Sequence, residues 1–292
     1  MKESYNYPLV DSHSDYPLVF ATFTSKSGVN VGGALLIDTA SRHNVLNSKI
    51  LDIIEAAPMD DNKEISLTSF RGESVSAGKT NFDFSIEKDV FKESFYISPK
   101  ISFDSVYEGH VVVGVLGVEF MIKHGLALDF SKMALRSSER CVTNGDDCYT
   151  FPLQFGFSQY GLPIVVMTSK NKDFVCLVDS GSCFNITTNR TLDCAEIPYQ
   201  CIKRGEAFKS VTCSVDADII RTCIELTGID PESKTYSRHM FSETFYVAKD
   251  DWNIIDGEDG TPPISVILGA NFLKKHKCVI DFGNGYFNAY CV

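Results

Sequence analysis

Apolar and polar residues alternate along residues 18–24, which is the pattern of a strand with one buried face. Residues 33–37 are apolar throughout and lead directly into Asp38. Continuous apolarity over so short a run predicts a strand that is buried on both faces. Because this strand ends at an acidic residue, we expect it to carry Asp38 into the interior of the fold.

A second apolar strand is predicted over residues 111–117, and it ends in a glycine. A short helix over residues 118–124 follows, with Gly125 suited to its C-terminal cap. Residues 126–130 form the next predicted strand. The first half of the chain is therefore predicted to be mostly β, with short helices.

The second half repeats this order of elements. An apolar strand over residues 174–178 leads into Asp179, and residues 115–130 align without a gap with residues 267–282, sharing seven identities. Shorter matches occur in the same order, pairing residues 24–26 with 168–170 and 91–96 with 241–246. We interpret the repeat as an ancient duplication. It predicts two pseudo-symmetric lobes, residues 1–140 and 141–292, with an insertion in the second lobe between 201 and 239.

Composition narrows the possible partners. The chain has 292 residues, of which 44% are hydrophobic, and a formal net charge of −11. An acidic balance argues against nucleic acid and anionic membrane surfaces. No apolar run is long enough for a transmembrane helix. The start lacks the features of a signal peptide, so we expect a cytoplasmic protein if the chain is complete, and a secreted or periplasmic one if a leader was removed.

All ten cysteines lie at or after Cys141. An even number of cysteines is compatible with five disulfides, but a disulfide scaffold normally belongs to a short secreted chain. We therefore favour the interpretation that these cysteines are mostly reduced core thiols. Their spacing matches no zinc-ligand pattern, so no metal or other cofactor is expected. His124 and His276 both end predicted short helices, where we interpret them as complementing the helix dipole.

Equivalent carboxylates from two similar lobes would face each other across a pseudo-two-fold axis. At a separation of about 3 Å the side chains of Asp38 and Asp179 cannot both ionise, so they share one proton. The ionised member can take a proton from a water while the protonated member donates to a carbonyl. This arrangement predicts amide hydrolysis without a covalent intermediate.

The residues after each aspartate suit this chemistry. Thr39 and Ser180 are predicted to cross-link the two loops through their hydroxyls, and Gly181 permits a sharp turn. We expect the hydroxyls of Ser41 and Ser182 to donate to the outer carboxylate oxygens, which lowers the pKa of the pair. An acid-shifted optimum follows from that expectation.

These motifs resemble the retropepsin-like branch of the aspartic peptidases, and the resemblance covers both halves of the chain. Asp38 and Asp179 match the catalytic aspartates of the family. Its apolar-apolar-glycine motif, which packs against the catalytic loops, is matched by residues that include Leu116, Gly117, Leu268 and Gly269. The resemblance implies a bilobal acid-protease fold of two retropepsin-like β-barrel lobes. It also implies a peptide or protein substrate and no cofactor.

One residue departs from the family pattern, since Ala40 stands where the family has glycine. The family's flaps, hairpins that close over the substrate, should lie between each aspartate and its downstream glycine motif. Candidate flap residues are Arg71, Gly72 and Glu73 in the first lobe and Gly205 and Glu206 in the second.

Three functional hypotheses follow. The first is a single-chain aspartic endopeptidase whose cleft binds an extended peptide. The second, supported by Ala40, is a catalytically inactive relative that binds peptides or a partner protein in the same cleft. The third is a homodimer in which each lobe pairs with another molecule. We expect a monomer and leave the homodimer open.

Overall fold

We analysed a computed structural model of the chain. The structure describes residues 5–10, 16–25, 27–54, 60–68, 74–98, 100, 106–107, 110–138, 148–156, 161–170, 172–209, 214–229, 235–248 and 264–290. The elements of the first half are β1 Asn6–Pro8, β2 Leu18–Thr24, β3 Asn30–Ile37, β4 Val45–Asn47, α1 Lys49–Ile53, β5 Asp60–Thr68, β6 Ser74–Ile86, β7 Asp89–Ser98, β8 Val106–Tyr107, β9 His110–Leu116, α2 Val118–His124, β10 Leu126–Asp129 and β11 Ala134–Ser137.

The elements of the second half follow the same plan. They are β12 Cys148–Pro152, β13 Gln154–Gly156, β14 Leu162–Ser169, β15 Lys172–Val178, β16 Ile186–Thr188, α3 Asn189–Ala195, β17 Tyr199–Lys209, β18 Ser214–Ile229, β19 Tyr236–Ala248, β20 Ile264–Leu268, α4 Ala270–Lys275, β21 Val279–Asp281 and β22 Tyr286–Tyr290.

Each half forms a closed six-stranded barrel. In the first lobe the strands run in the order β2-β3-β9-β4-β7-β6, and pairing of β2 with β6 closes the ring. In the second lobe the order is β14-β15-β20-β16-β19-β18, closed by pairing of β14 with β18. The predicted fold class, mostly β and bilobal with two barrel lobes and short helices, is therefore confirmed.

A third sheet joins the two halves. Its order is β1-β11-β10-β21-β22-β12, and the antiparallel pairing of β10 with β21 links a strand of one half to a strand of the other. The predicted division between residues 140 and 141 lies outside the described residues and stays a prediction.

The apolar strand predicted before each aspartate is paired on both sides in its barrel, β3 with β2 and β9, and β15 with β14 and β20. β3 pairs in parallel with β9, and β15 pairs in parallel with β20 in the equivalent register. Leu35, Ile37, Leu177 and Val178 are completely buried. Strands covered on both faces need continuous apolarity, which explains why these runs do not alternate.

The longer middle of the second lobe is built from long strands. β17, β18 and β19 have 11, 16 and 13 residues, whereas β5, β6 and β7 have 9, 13 and 10. Among the described residues, the predicted insertion therefore lengthens an existing three-stranded meander.

The cysteines are less buried than expected. The seven described ones are not in disulfide bonds, but only Cys176 and Cys278 are buried. Cys194, Cys201 and Cys223 are exposed, so the prediction of mostly core thiols is wrong for the described residues. None of the described helices has the length and apolar character that crossing a bilayer requires.

Candidate active site

The two parallel strand pairs bring Asp38 and Asp179 to the junction of the lobes. Asp38 follows β3, and its amide donates to the carbonyl of Leu116 at 3.1 Å. Asp179 follows β15, and its amide donates to the carbonyl of Leu268 at 3.0 Å. Each aspartate is thus held by the strand that precedes its own lobe's glycine motif.

Reciprocal hydrogen bonds connect the two loops. The amide of Thr39 donates to Ser180 Oγ at 3.1 Å, and the amide of Ser180 donates to Thr39 Oγ1 at 2.9 Å. Each hydroxyl in turn donates 2.6 Å to a carbonyl of the opposite lobe, Thr39 to Val178 and Ser180 to Ile37. Both side chains are completely buried, so water cannot replace these bonds.

The two carboxyl groups lie within hydrogen-bonding reach of each other. Backbone amides hold their orientation. Asp38 Oδ1 accepts from the amide of Ala40 at 2.8 Å. Asp179 Oδ1 accepts from the amides of Gly181 at 2.9 Å and Ser182 at 3.1 Å.

Burial raises the pKa of the Asp38 carboxyl, although backbone amides of its loop and the hydrogen bond with Asp179 act in the opposite direction. Burial raises the pKa of Asp179 well above its ordinary value, and the negative charge of Asp38 adds to this effect. Two adjacent carboxyl groups cannot both ionise at low cost. The pair therefore titrates as a unit that can hold a single shared proton.

Glycine is required at one loop position for steric reasons. A Cβ on Gly181 would lie 2.6 Å from Cγ of Asp38, inside the closest approach of two carbon atoms. Ala40 occupies the corresponding position in the first lobe, and its side chain packs against an apolar cluster of the second lobe that includes Leu177 and Ile267. Its methyl group does not disturb the hydrogen bond from the Ala40 backbone amide to Asp38 Oδ1.

The hydroxyls of Ser41 and Ser182 do not act as the sequence suggested. Ser41 Oγ donates to the carbonyl of His43 at 2.8 Å, and Ser182 Oγ donates to the carbonyl of Phe184 at 2.9 Å. The expectation that these hydroxyls bind the carboxylates and lower their pKa is therefore wrong. The hydroxyls instead close each loop on itself, and the backbone amides bind the carboxyl groups.

The glycine motifs lie directly beneath the loops. A Cβ on Gly117 would lie 2.5 Å from the carbonyl oxygen of His43, and one on Gly269 would lie 2.3 Å from that of Phe184. These backbone contacts leave no space for a side chain. The glycine motifs of both lobes are thus packed against the loops that carry Asp38 and Asp179.

Two buried asparagines of the site were missed. Asn44 Oδ1 accepts from the amide of Gly117 at 3.0 Å, and Asn185 Oδ1 accepts from that of Gly269 at 2.9 Å. Both lie six residues after their aspartate, so they recur at the same offset as Asp38 and Asp179. That spacing was a usable signal in the sequence.

The candidate flap residues remain predictions. Arg71, Gly72 and Glu73 lie outside the described residues, between β5 and β6. Gly205 and Glu206 lie within β17, where the pairing with β18 is irregular and Gly205 has a φ of 69°. The described residues contain no cluster of three or more His, Cys, Asp or Glu side chains able to hold a metal ion.

Comparison with known proteins supports the fold. No family model matches the chain, and no curated protein does. The solved structure of conglutin gamma, a basic 7S globulin from lupine seeds, matches with 10% identity and a TM-score of 0.54, covering 100% of this chain and 96% of that chain. This likeness concerns the fold alone; the two closed barrels described above define the class, that of bilobal double-barrel β proteins.

A retropepsin-like aspartic protease from Rickettsia conorii is also similar over one part of the chain. The identity is 14% and the TM-score 0.29, with 46% of this chain and 90% of that chain covered.

Removing one interlobe hydroxyl should destabilise the fold strongly. Ser180→Ala deprives the buried Thr39 amide and the Ile37 carbonyl of their partner. We expect the free energy of unfolding to fall by about 2 to 4 kcal/mol, measured by urea denaturation followed by circular dichroism.

Ser182→Ala is the matched control. It removes a hydroxyl from the same loop, but one that binds a carbonyl within its own lobe and is partly accessible to water. Its cost should be about 1 kcal/mol or less. Equal losses in the two variants would show that the interlobe bonds carry no special weight.

Proposed function

We propose that this protein is an aspartic endopeptidase of the retropepsin-like type, which hydrolyses peptide bonds through a water activated by Asp38 and Asp179. The observation that carries the proposal is the pair of adjacent carboxyl groups at equivalent positions of the two lobes, each oriented by backbone amides of its own loop. Adjacent carboxyl groups with separated protonation states are suited to combined acid and base catalysis.

The proposed reaction begins with a water between the carboxyl groups and the substrate carbonyl. Asp38 takes a proton from this water as its oxygen bonds to the carbonyl carbon, while Asp179 gives its proton to the carbonyl oxygen. The tetrahedral diol then collapses. Asp38 transfers its proton to the leaving nitrogen, the C–N bond breaks, and Asp179 recovers a proton from the diol.

The proposed substrate is an extended segment of a peptide or protein, bound between the lobes by main-chain hydrogen bonds. Both carboxyl groups come from one chain, so a monomer is sufficient for this chemistry. An inactive peptide-binding protein is the alternative. The hydrogen bond from the Ala40 backbone amide to Asp38 Oδ1 argues against this alternative, because it shows that the alanine does not disturb the carboxyl group.

Removing either carboxyl should abolish cleavage. Asp38→Asn removes the base of the proposed reaction, and Asp179→Asn removes its acid. In either variant we expect the rate of cleavage of an unfolded protein to fall by about a hundred- to ten-thousand-fold. A statine-type inhibitor should block the wild-type enzyme.

Asp83→Asn is the control, because Asp83 is an exposed aspartate 3.6 Å from Lys92 and should leave the rate unchanged. Peptide binding by the wild type without cleavage would support the alternative function. Cleavage that survives both dyad substitutions would contradict the proposal.

The pH profile of cleavage should be bell-shaped. Activity requires ionised Asp38 and protonated Asp179, so it rises as pH increases through the pKa of Asp38 and falls through that of Asp179. Burial raises the pKa of Asp38 above its ordinary value of 3.8, and it raises the pKa of Asp179 further.

The ascending limb should therefore lie above pH 3.8, higher than donation by the Ser41 and Ser182 hydroxyls would have placed it. Initial rates measured from about pH 3 to about pH 9 define both limbs. A single ascending limb without a fall would argue against a protonated Asp179.

The two loops should respond differently to a methyl group. Gly181→Ala places a Cβ against the Asp38 carboxyl, and we expect kcat/KM for a peptide substrate to fall by about a hundred-fold or more. Ala40→Gly should stay within about threefold of the wild type, because the amide that binds Asp38 is retained. A gain of several orders of magnitude in Ala40→Gly would show that the natural alanine disables the site.

A further inference from the structure

A charged cluster around a buried glutamate lies at the far end of the helix beneath each loop. Each cluster, here called the anchor, joins a strand to the C-terminal end of a helix. The two anchors contain the same five residue types. The first consists of Phe91, Glu93, Phe120, Lys123 and His124, and the second of Phe241, Glu243, Phe272, Lys275 and His276.

The contacts of the glutamate with the lysine and the histidine are the same in both anchors. Glu93 Oε1 accepts from Lys123 Nζ and from His124 Nε2, both at 2.7 Å. Glu243 Oε1 accepts from Lys275 Nζ at 2.6 Å and from His276 Nε2 at 2.7 Å. The two glutamates, at 8% and 5% exposure, are among the few carboxylates that are buried in the described part of the chain.

Aromatic rings enclose each imidazole. The ring centroid of His124 lies 4.9 Å from that of Phe91 and 4.8 Å from that of Phe120. The corresponding distances for His276 are 4.9 Å to Phe241 and 4.6 Å to Phe272. The helix-dipole role of the two histidines stays a prediction, since His124 lies in the last turn of α2 and His276 is the C-cap of α4.

The imidazole of the second anchor has a polar partner at each ring nitrogen. His276 Nδ1 lies 2.8 Å from the carbonyl oxygen of Tyr290, and Nε2 lies 2.7 Å from the Glu243 carboxylate. Lys275 Nζ, on a side chain that is 46% exposed, lies 2.6 Å from the same carboxylate. A buried charge cluster adds little net stability compared with apolar packing, so its presence in both lobes calls for another role.

The helices connect the anchors to the candidate active site. In the first lobe, the amide of Val118 donates to the carbonyl of Ser41 at 2.8 Å. In the second, the amide of Ala270 donates to the carbonyl of Ser182 at 2.7 Å. α4 has six residues, so about 9 Å of helix separates the anchor from the loop.

The strand that carries each anchoring glutamate also contacts the loop. The carbonyl of Ser94, next to Glu93, accepts from Asn44 Nδ2 at 3.2 Å. The carbonyl of Thr244, next to Glu243, accepts from Asn185 Nδ2 at 3.1 Å. Each loop is therefore supported by a strand and a helix, and the anchor fixes the position of one relative to the other.

We propose that Glu93 and Glu243 are positioning residues, each of which sets the orientation of the loop amides that hold the carboxyl group of its own lobe. The consequence for catalysis rests on the proposed function. The mechanical part does not, because it concerns the loops alone.

The test uses hydrogen–deuterium exchange of the two loops in Glu93→Gln and Glu243→Gln. Glutamine preserves size but loses the charge that holds the helix end. We expect Glu243→Gln to accelerate exchange at least tenfold in residues 179–185 and to leave residues 38–44 unchanged. Glu93→Gln should give the reverse pattern, so each variant serves as the control for the other lobe.

Asp129→Asn is a control for buried ion pairs in general. Asp129 is 1% exposed and pairs with Arg136 at 2.7 Å in the sheet that joins the lobes. Asp129→Asn should not accelerate hydrogen–deuterium exchange selectively in either loop. If Glu243→Gln does not fold, Lys275→Met, which removes one donor and keeps the Glu243–His276 pair, should accelerate residues 179–185 to a smaller degree.

Catalysis gives a second readout. We expect about a tenfold loss of kcat with KM unchanged in both glutamine variants, together with a shifted ascending limb of the pH profile in Glu93→Gln and a shifted descending limb in Glu243→Gln. A purely structural role would lower stability and leave the limbs in place.

The outcomes separate the two proposals. Equal acceleration of both loops, no acceleration, or the same pattern in Asp129→Asn would overturn the positioning role even if the wild type cleaves peptides. A wild type that cleaves nothing while exchange remains lobe-specific would overturn the proposed function and leave the anchors as loop supports.

Discussion

The reciprocal hydrogen bonds of Thr39 and Ser180 are the constraint on which the candidate site depends. Each hydroxyl lies between an amide and a carbonyl of the opposite lobe, and both are sealed from water. The loops consequently have one relative position, and the aspartate that precedes each hydroxyl inherits it. Without this cross-link, repulsion between two ionised carboxylates would favour their separation. The sheet that joins the lobes adds a second connection between them, through the pairing of β10 with β21.

Burial and proximity together determine the protonation of the pair. Removal from water disfavours the charged form of both carboxyl groups, so their pKa values rise. Backbone amides offset part of this effect, and they do so without introducing a further titratable group. The protein thus keeps a negative charge in its interior by surrounding it with fixed dipoles. Those dipoles are useful only if the loops do not move, which is why the supports beneath the loops matter to the chemistry.

Much of this frame was predictable because it is periodic or repeated. Continuous apolarity indicated the central strands, and the duplication indicated where the equivalent aspartates lie. Side-chain direction was less accessible. A serine three residues after an aspartate can reach the carboxylate or its own loop, and only the three-dimensional turn decides that Ser41 binds the carbonyl of His43. Asn44 and Asn185 recur at the same offset as the aspartates, but an asparagine alone indicates no particular partner. The glutamates paired with His124 and His276 come from a distant strand, so their contacts follow from the barrel topology.

The duplication also raises a physical problem. Equivalent surroundings would favour equal protonation of the two aspartates, whereas the proposed hydrolysis by a carboxyl pair needs one acid and one base. The structure breaks the symmetry around the loops. Beside the Asp38 loop, Glu119 pairs with Arg42 at 2.8 Å and with His43 at 2.9 Å. The corresponding positions of the second lobe hold the uncharged residues Cys183, Phe184 and Asn271. Asp179 is also more deeply buried than Asp38. A less polar surrounding disfavours the charged form more strongly, which favours protonation of Asp179 over that of Asp38. The first lobe is therefore suited to carry the base and the second the acid, on frames that are otherwise alike.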